Sequence, residues 1–461
     1  MCNRFYLDPT NKQTSFTNSA RGKVFVIDAL NRIYKQTINA CMSDSNQQDV
    51  HIYAMFKFVI NMLKNMYAPL FVFDGKFPKE KIDAILARKR DKHLNSLKCN
   101  LIDSNSQEFM PAFKKSFQLS KLQIMECKKI LDLFEISYIN APEEADKQCA
   151  EIAKFHDDII CGVISDDFDI VMHGAPLLLK NFSFRNDTII TVNNKETLEY
   201  LLKKANEIRE SEHMELFEIF TQDNFLDFGI IIGTDYNINQ QLQILASMDH
   251  ILLFKYFVIN DMDLKKMINY FVANNIIEPD ETYMEILANI KTIYLNAKYT
   301  NPADICVKLN MINTQELINF LCVEHDIDEA YVRKELGKVY KNYSKLKKVY
   351  ENYYINKKLD ANYKFNFVET TSIKYELHPK LQNIKRTYDT VDYGNLRSDW
   401  GSQSQPFVQQ KILTRENTWG RIQQDKLPDR TNVCFTYYDS HSTLNSLYEK
   451  HSNIFNKKTT R

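Results

Sequence analysis

Two stretches of the chain, Lys23-Val-Phe-Val-Ile-Asp28 and Pro69-Leu-Phe-Val-Phe-Asp74, are continuously apolar, and each stops at an aspartate. Unbroken hydrophobicity of this length marks strands covered on both faces, as in the middle of a parallel sheet. Between them Ile52, Met55, Phe56, Val59, Ile60 and Leu63 recur at helical spacing over residues 51–67, which predicts a β-α-β unit. A third run, Asp158-Ile-Ile-Cys-Gly-Val-Ile164, leads into Ser165-Asp-Asp-Phe-Asp169, and Pro142 opens a predicted helix that ends near Phe155. The expected fold is therefore α/β, with a central, mostly parallel sheet flanked by helices.

From about 201 to 360 the pattern turns helical, without long β-branched runs, and no glycine occurs between Gly233 and Gly337. Beyond about 387 Ser, Gln, Asn, Asp and Thr dominate over scattered apolar residues, so weak order is expected there. The predicted divisions are an amino-terminal extension over 1–22, a core over 23–236, a helical lobe over 237–360 and a weakly ordered region over 361–461. No repeat of 20 to 50 residues is visible.

Composition narrows the field. With 461 residues, 44% of them hydrophobic and 26% charged, the chain has material for a large core and is not globally disordered. Its longest apolar stretches, such as Phe225 to Gly233, are shorter than the roughly 18 residues of a membrane span, so no membrane partner is expected. The start, Met-Cys-Asn-Arg, has no hydrophobic signal core, and an intracellular location is expected. Nine cysteines without a Cys-x-x-Cys pair point to reduced thiols and no zinc. Formal charge is zero, 59 basic against 59 acidic residues, so any nucleic-acid surface has to come from local distribution.

That distribution is uneven among the acids. Asp28, Asp74, Glu144, Asp146, Asp167, Asp169 and Asp235 follow buried strands or open the segments after them, and in open α/β sheets such strand ends converge on a ligand crevice. Taken singly, Asp28 and Asp74 are equally explained as helix caps, Glu144 and Asp146 as first-turn acids favoured by the helix dipole, and Asp-Asp-x-Asp as a solvated turn. Placed together, carboxylates raise one another's pKa unless cations neutralise them. Oxygen ligands without Cys or His select a hard ion, Mg²⁺ with Mn²⁺ as its substitute. Two such ions roughly 3.5–4 Å apart suit phosphodiester hydrolysis.

Val26-Ile-Asp-Ala29 with Asn31 and Tyr34, Phe71-Val-Phe-Asp-Gly-Lys76, Ala141-Pro-Glu-Glu-Ala145, Ile164-Ser-Asp-Asp-Phe-Asp169, Gly174-Ala-Pro176 and Ile232-Gly-Thr-Asp-Tyr236 form an ordered series. It resembles the acidic blocks of the flap endonucleases and their XPG-type relatives, Mg²⁺-requiring structure-specific 5′ nucleases with a PIN-like 5′ nuclease fold. A further resemblance runs from Asn313 through Arg333, so the likeness covers about 24–345. It implies two Mg²⁺ per site, with Asp28, Asp74, Glu144 and Asp146 serving the first and Asp167, Asp169 and Asp235 completing the second. Lys81 and Arg88 match the pair that steers the scissile phosphate, and Tyr34 matches an aromatic on which a base stacks. The family's helical arch and cap, through which a single-stranded 5′ end threads, would fall at about 76–129, where 13 Lys/Arg outnumber 6 Asp/Glu. Lys76, Arg90, Lys114, Lys115 and Lys121 are its candidate nucleic-acid contacts.

The implied partner is DNA with a 5′ flap, gap or branched end, cut by a monomer. Gap or junction cleavage, RNA exonuclease work and an inert DNA-binding factor are the alternatives on the same scaffold. A second basic tract, Arg333 to Lys358, carries Tyr340, Tyr343, Tyr350, Tyr353 and Tyr354 and reads equally as a duplex grip or a solvated helix. The chain departs from the family's Met-Gly-Ile start. The stretch Asn237 to Ala246, where the family has a glycine-rich hairpin turn, contains no glycine. No sliding-clamp peptide is recognisable near the carboxyl terminus.

Overall fold

In the computed structural model of the chain, the described residues are 12–14, 20–43, 49–103, 106–184, 189–236, 240–307, 309–359 and 364–365. The expected weak order beyond about 387, and most of the 1–22 extension, lie outside them.

The described strands form one seven-stranded sheet. In chain order they are β1 (Lys12–Thr14), β2 (Val24–Asp28), β3 (Ala68–Phe73), β4 (Tyr138–Asn140), β5 (Ile160–Ile164), β6 (Leu177–Lys180) and β7 (Ile189–Asn193). Across the sheet the order is β1-β7-β6-β5-β2-β3-β4. The four neighbouring pairs from β6 to β4 are parallel, and β6–β7 and β7–β1 are antiparallel. The chain moves outward from β2 to β3 and β4, then returns to lay β5 on the other side of β2. The strand order therefore reverses between the parallel strands β2 and β5, the place where strand-end loops part and leave a crevice.

The helices are α1 (Ala29–Ser43), α2 (Val50–Lys64), α3 (Ile82–Leu101), α4 (Phe109–Ser116), α5 (Lys121–Phe134), α6 (Ala145–Phe155), α7 (Asp169–Met172) and α8 (Asn194–Ser211). They continue with α9 (Gln222–Ile232), α10 (Gln240–Ser247), α11 (His250–Ile259), α12 (Leu264–Ala273), α13 (Tyr283–Asn296), α14 (Thr314–Ile318) and α15 (Glu329–Leu359). Their starts follow local chemistry. Ser120 with Gln123 and Thr221 with Asn224 form reciprocal capping boxes on α5 and α9, and Asn193, Asp249 and Asp263 cap α8, α11 and α12. No helix among the described residues is long and apolar enough to cross a membrane.

Val24, Phe25, Val26 and Ile27 are all fully buried, and so are Phe71 and Val72, as their unbroken apolarity predicts. Each such side chain contributes about 1.5–3 kcal/mol of burial. The predicted crossover helix is α2, with Ile52, Met55, Phe56, Val59, Ile60 and Leu63 all buried. The stretch 76–129 is helical but divides: residues 91–117 belong to a separate compact unit, with Cys99, Phe109 and Ala112 as its apolar centre. Helix α5 instead packs in the main core, where Phe134 meets Phe56 with ring centroids 6.0 Å apart. The second basic tract is α15, and its tyrosines do not form an open aromatic face. Tyr343, Tyr350 and Tyr353 are buried, with hydroxyls donated to Phe134 O (2.8 Å), Gly22 O (2.5 Å) and Asp158 Oδ2 (3.1 Å).

Candidate active site

The carboxyl ends of β2, β3 and β5 bring the first acids together by register. Ile27 lies opposite Ile164, so the next residues, Asp28 and Ser165, are neighbours, and Ser165 Oγ donates to Asp28 Oδ2 at 2.8 Å. Asp28 also caps α1, accepting from Asn31 N at 3.3 Å. Asp74 stands just beyond β3. Its Oδ1 accepts from Ala145 N at 2.7 Å, so it caps α6 across the sheet edge. The loop after β3 is laced to the loop before α6 by Gly75 N to Glu143 O (2.6 Å) and Lys76 N to Pro142 O (3.2 Å). That lacing requires glycine, because a Cβ at Gly75 would sit 2.0 Å from Ala141 O.

Past β5, Asp167 Oδ1 accepts from Asp169 N at 3.1 Å and opens α7. Asp146 lies in the first turn of α6 and Asp235 just past α9. The seven predicted acids lie within one another's electrostatic reach. Burial, then Asp74 and Asp167, push the Asp28 carboxyl up to about 7 against the hydrogen bonds from Ser165 and Asn31. Asp169 rises to about 7 through burial and then Asp167, with the Tyr294 hydrogen bond opposing. Burial and then Asp167, Asp28, Asp169 and Asp74 hold Asp146 well above the usual carboxylate range. Asp74 keeps an exposed surface but is hemmed in by protein. That desolvation, with Glu144 and Asp167, raises its carboxyl against the Ala145 amide and Lys81.

The cations are placed at the same spot. Lys81, at the end of the 3₁₀ turn Lys79–Lys81, pairs with Glu144 and lies 3.5 Å from Asp235, and Arg88 pairs with Asp235. The two are seven residues apart and, as their spacing predicts, meet the same cluster. Tyr34 is half-buried on α1, and burial raises its hydroxyl. Lys76, Arg90 and Lys121 are exposed in the main unit, and Lys114 and Lys115 are exposed in the separate unit. Asp166 turns away from the acids: its carboxylate takes Lys35 Nζ at 2.5 Å and Asn181 N at 2.9 Å.

Four further residues serve this cluster. Ser165 and Asn31 fasten Asp28, Tyr236 donates its hydroxyl to Glu144, and Tyr294 OH donates to Asp169 Oδ2 at 2.8 Å. Ser165 and Asn31 are legible as polar residues within a turn of a strand end. Tyr236 belongs to the block Ile232 to Tyr236 of the ordered series, whereas Tyr294 carries no local signal and is 125 residues from its partner.

The donor set fits a hard divalent ion. It is all oxygen, and the mutual repulsion of the carboxylates is what a cation would relieve. The buried Cys149 beside them offers no thiolate, because burial and then Asp28, Asp146 and Asp74 push its thiol well up. Among the described residues no three His, Cys, Asp or Glu side chains close on one point as a finished cage; Glu144 and Asp235 are instead turned to Lys81, Arg88 and Tyr236.

Comparison with known proteins follows the same blocks. The XPG N-terminal domain matches residues 7–95 and the XPG I-region residues 135–235. The chain is 26% identical over 353 residues to flap endonuclease 1 of Nanoarchaeum equitans, covering 74% of this chain and 94% of that protein. It is 28% identical over 343 residues to flap endonuclease 1 of Methanococcus aeolicus, covering 72% of this chain and 94% of that protein. The solved catalytic core of Rad2 in complex with DNA substrate shares the fold, with a TM-score of 0.51 and 19% identity over 71% of this chain and 96% of that one.

Proposed function

Because the chain belongs to the XPG-type flap endonuclease family, we propose that it is a 5′ flap endonuclease and 5′-3′ exonuclease that hydrolyses DNA phosphodiesters with two Mg²⁺ ions, in replication, repair or recombination. The supporting observation is the convergence of seven carboxylates from five separate chain segments at the reversal point of the strand order, with Lys81 and Arg88 among them. Asp28, Asp74, Glu144 and Asp146 would hold one ion, and Asp167, Asp169 and Asp235 the other. Bound there, the ions supply Lewis-acid stabilisation of the attacking and leaving oxygens.

The chain's own groups do the rest. Lys81 reaches the cluster from the start of the basic helix and is held as a full cation: Glu144 and Asp235 raise its ammonium above the ordinary lysine range against the opposing effect of burial, which is the largest single influence. It and Arg88 are therefore charged donors at the point where phosphate charge develops. Ser165 and Asn31 keep the Asp28 carboxylate oriented, and the Gly75 lacing fixes the approach of Asp74 to Glu144. Exposed Lys76, Arg90 and Lys121 provide backbone-binding charge, as Lys114 and Lys115 do in their own unit. Tyr34, half-buried, keeps part of its ring available to a base.

The test is a panel of labelled flap, gapped, four-way-junction, single-stranded DNA and RNA substrates with a Mg²⁺ titration. Fastest metal-dependent cleavage on the 5′ flap is expected. Cleavage that persists in chelator, or a preference for RNA or four-way junctions, would overturn the proposal.

A further inference from the structure

The helical lobe reaches into the acid cluster at one side chain. Tyr294 lies on α13, is 3% exposed, and donates its hydroxyl to Asp169 Oδ2 at 2.8 Å. Its ring is held on two sides. Tyr236 meets it edge to face at 5.6 Å and 83°, and the His173 ring lies 5.0 Å away. Tyr236 in turn donates to Glu144, so two phenols in contact each hold a different acid of the cluster. A buried tyrosine needs a partner for its hydroxyl, and here that partner is a carboxylate rather than a backbone carbonyl.

The segment carrying Tyr294 is itself pinned. One turn earlier Lys291 bridges Asp223 (2.7 Å) and Asp227 (2.8 Å) on α9, the helix that leads into Asp235 and Tyr236. Just after α13, Lys298 N donates to Glu143 Oε2 at 2.8 Å, and Thr300 exchanges hydrogen bonds with Gln148 on α6, N to Oε1 at 2.6 Å and Nε2 to O at 3.0 Å. These contacts flank Tyr294 on both sides and tie it to α9 and α6, which also carry Glu144, Asp146 and Asp235 at their ends. Core filling alone requires only the ring. The hydroxyl adds one thing, a fixed direction for one oxygen of Asp169.

We propose that Tyr294 is a positioning residue of the active site: its hydroxyl occupies Asp169 Oδ2, leaves Oδ1 to face the cluster, and makes the helical lobe part of the divalent-ion site. The proposal rests on Asp169 being an ion ligand. Outer-shell donors of this kind change ion affinity by about 10–100-fold when removed.

Full-length wild type, Tyr294→Phe and Asp169→Asn are compared in three measurements: Mn²⁺ affinity of the DNA-free protein by electron paramagnetic resonance, Mg²⁺ dependence of single-turnover flap cleavage, and thermal melting in chelator. Tyr294→Phe should weaken Mn²⁺ binding by about tenfold, the lower end of the outer-shell range. It should raise the Mg²⁺ concentration for half-maximal rate by a similar factor, with melting in chelator unchanged or slightly higher. Wild-type Mn²⁺ affinity in Tyr294→Phe, or a loss matched by a clear fall in melting temperature, would overturn the positioning role. If Asp169→Asn itself keeps wild-type Mn²⁺ binding and cleavage, the ligand assignment fails instead, and the positioning role fails with it.

Discussion

At the scale of single residues, capping and convergence turn out not to be competing explanations of the acids. Asp28 caps α1, Asp74 caps α6, and Asp167 opens α7, yet Asp74 and Asp167 also help raise the Asp28 carboxyl, and all three help raise that of Asp146. A helix start at a strand end is simply where a carboxylate is both useful to the backbone and aimed at the crevice. Sequence alone could therefore place these acids. It could not show that Asp74 caps a helix 71 residues away, nor which acids Tyr236 and Tyr294 serve, because those partners are 92 and 125 residues distant and Tyr294, between Ile293 and Leu295, reads as core. Two outcomes belong here. Lys81→Ala should slow single-turnover cleavage by about 10²–10³-fold while DNA affinity, measured in Ca²⁺, stays within a few-fold. An unchanged single-turnover rate would remove Lys81 from the reacting phosphate. Gly75→Ala, whose Cβ would collide with Ala141 O at 2.0 Å, should separate the loops that bring Asp74 to Glu144, and both melting temperature and cleavage should fall. A fully active, equally stable alanine variant would show that the lacing does not set the site.

At the scale of elements, periodicity served where an element is long or buried on both faces and failed where it is neither. β2, β3, β5 and α2 were legible because unbroken or 3.6-spaced apolarity leaves little choice. β4, with three residues and no fully buried one, and the antiparallel pair β6–β7, with four and five residues, gave no comparable pattern. The tract Arg333 to Lys358 misleads for a physical reason. Its tyrosines are large enough to bury their rings in the core while their hydroxyls find backbone or carboxylate partners, so aromatic residues among lysines are here the inner face of α15. Helices α2 and α5 are joined by a titratable pair, buried His51 Nε2 and half-buried Glu126 Oε2 at 2.7 Å. Burial lowers the His51 imidazole below its ordinary value of 6.5, outweighing Glu126 and Asp49, which raise it. Above that value both folded and unfolded chains carry neutral imidazole and the contribution is constant. As pH falls through 6.5 the unfolded chain takes the proton first, and stability declines until the folded imidazole also titrates. His51→Gln keeps a donor for Glu126 without the titration, so its melting temperature should fall less between pH 7 and pH 5 than that of the wild type. Parallel curves would assign the pH dependence elsewhere.

At the scale of the whole molecule, a formally neutral chain concentrates its charges locally. Carboxylates gather where the strand order reverses, and basic residues dominate the helical stretch that follows Asp74. The helical lobe, predicted from sequence as a division of its own over 237–360, also brings the Tyr294 hydroxyl to Asp169 of the acid cluster. The central claim is that these seven carboxylates form a two-ion site. Crystals of the full chain soaked in MnCl₂ and measured at the manganese absorption edge test it most directly. Two anomalous peaks are predicted, one among Asp28, Asp74, Glu144 and Asp146 and one among Asp167, Asp169 and Asp235. Well-ordered density for those side chains with no anomalous peak between them would contradict it.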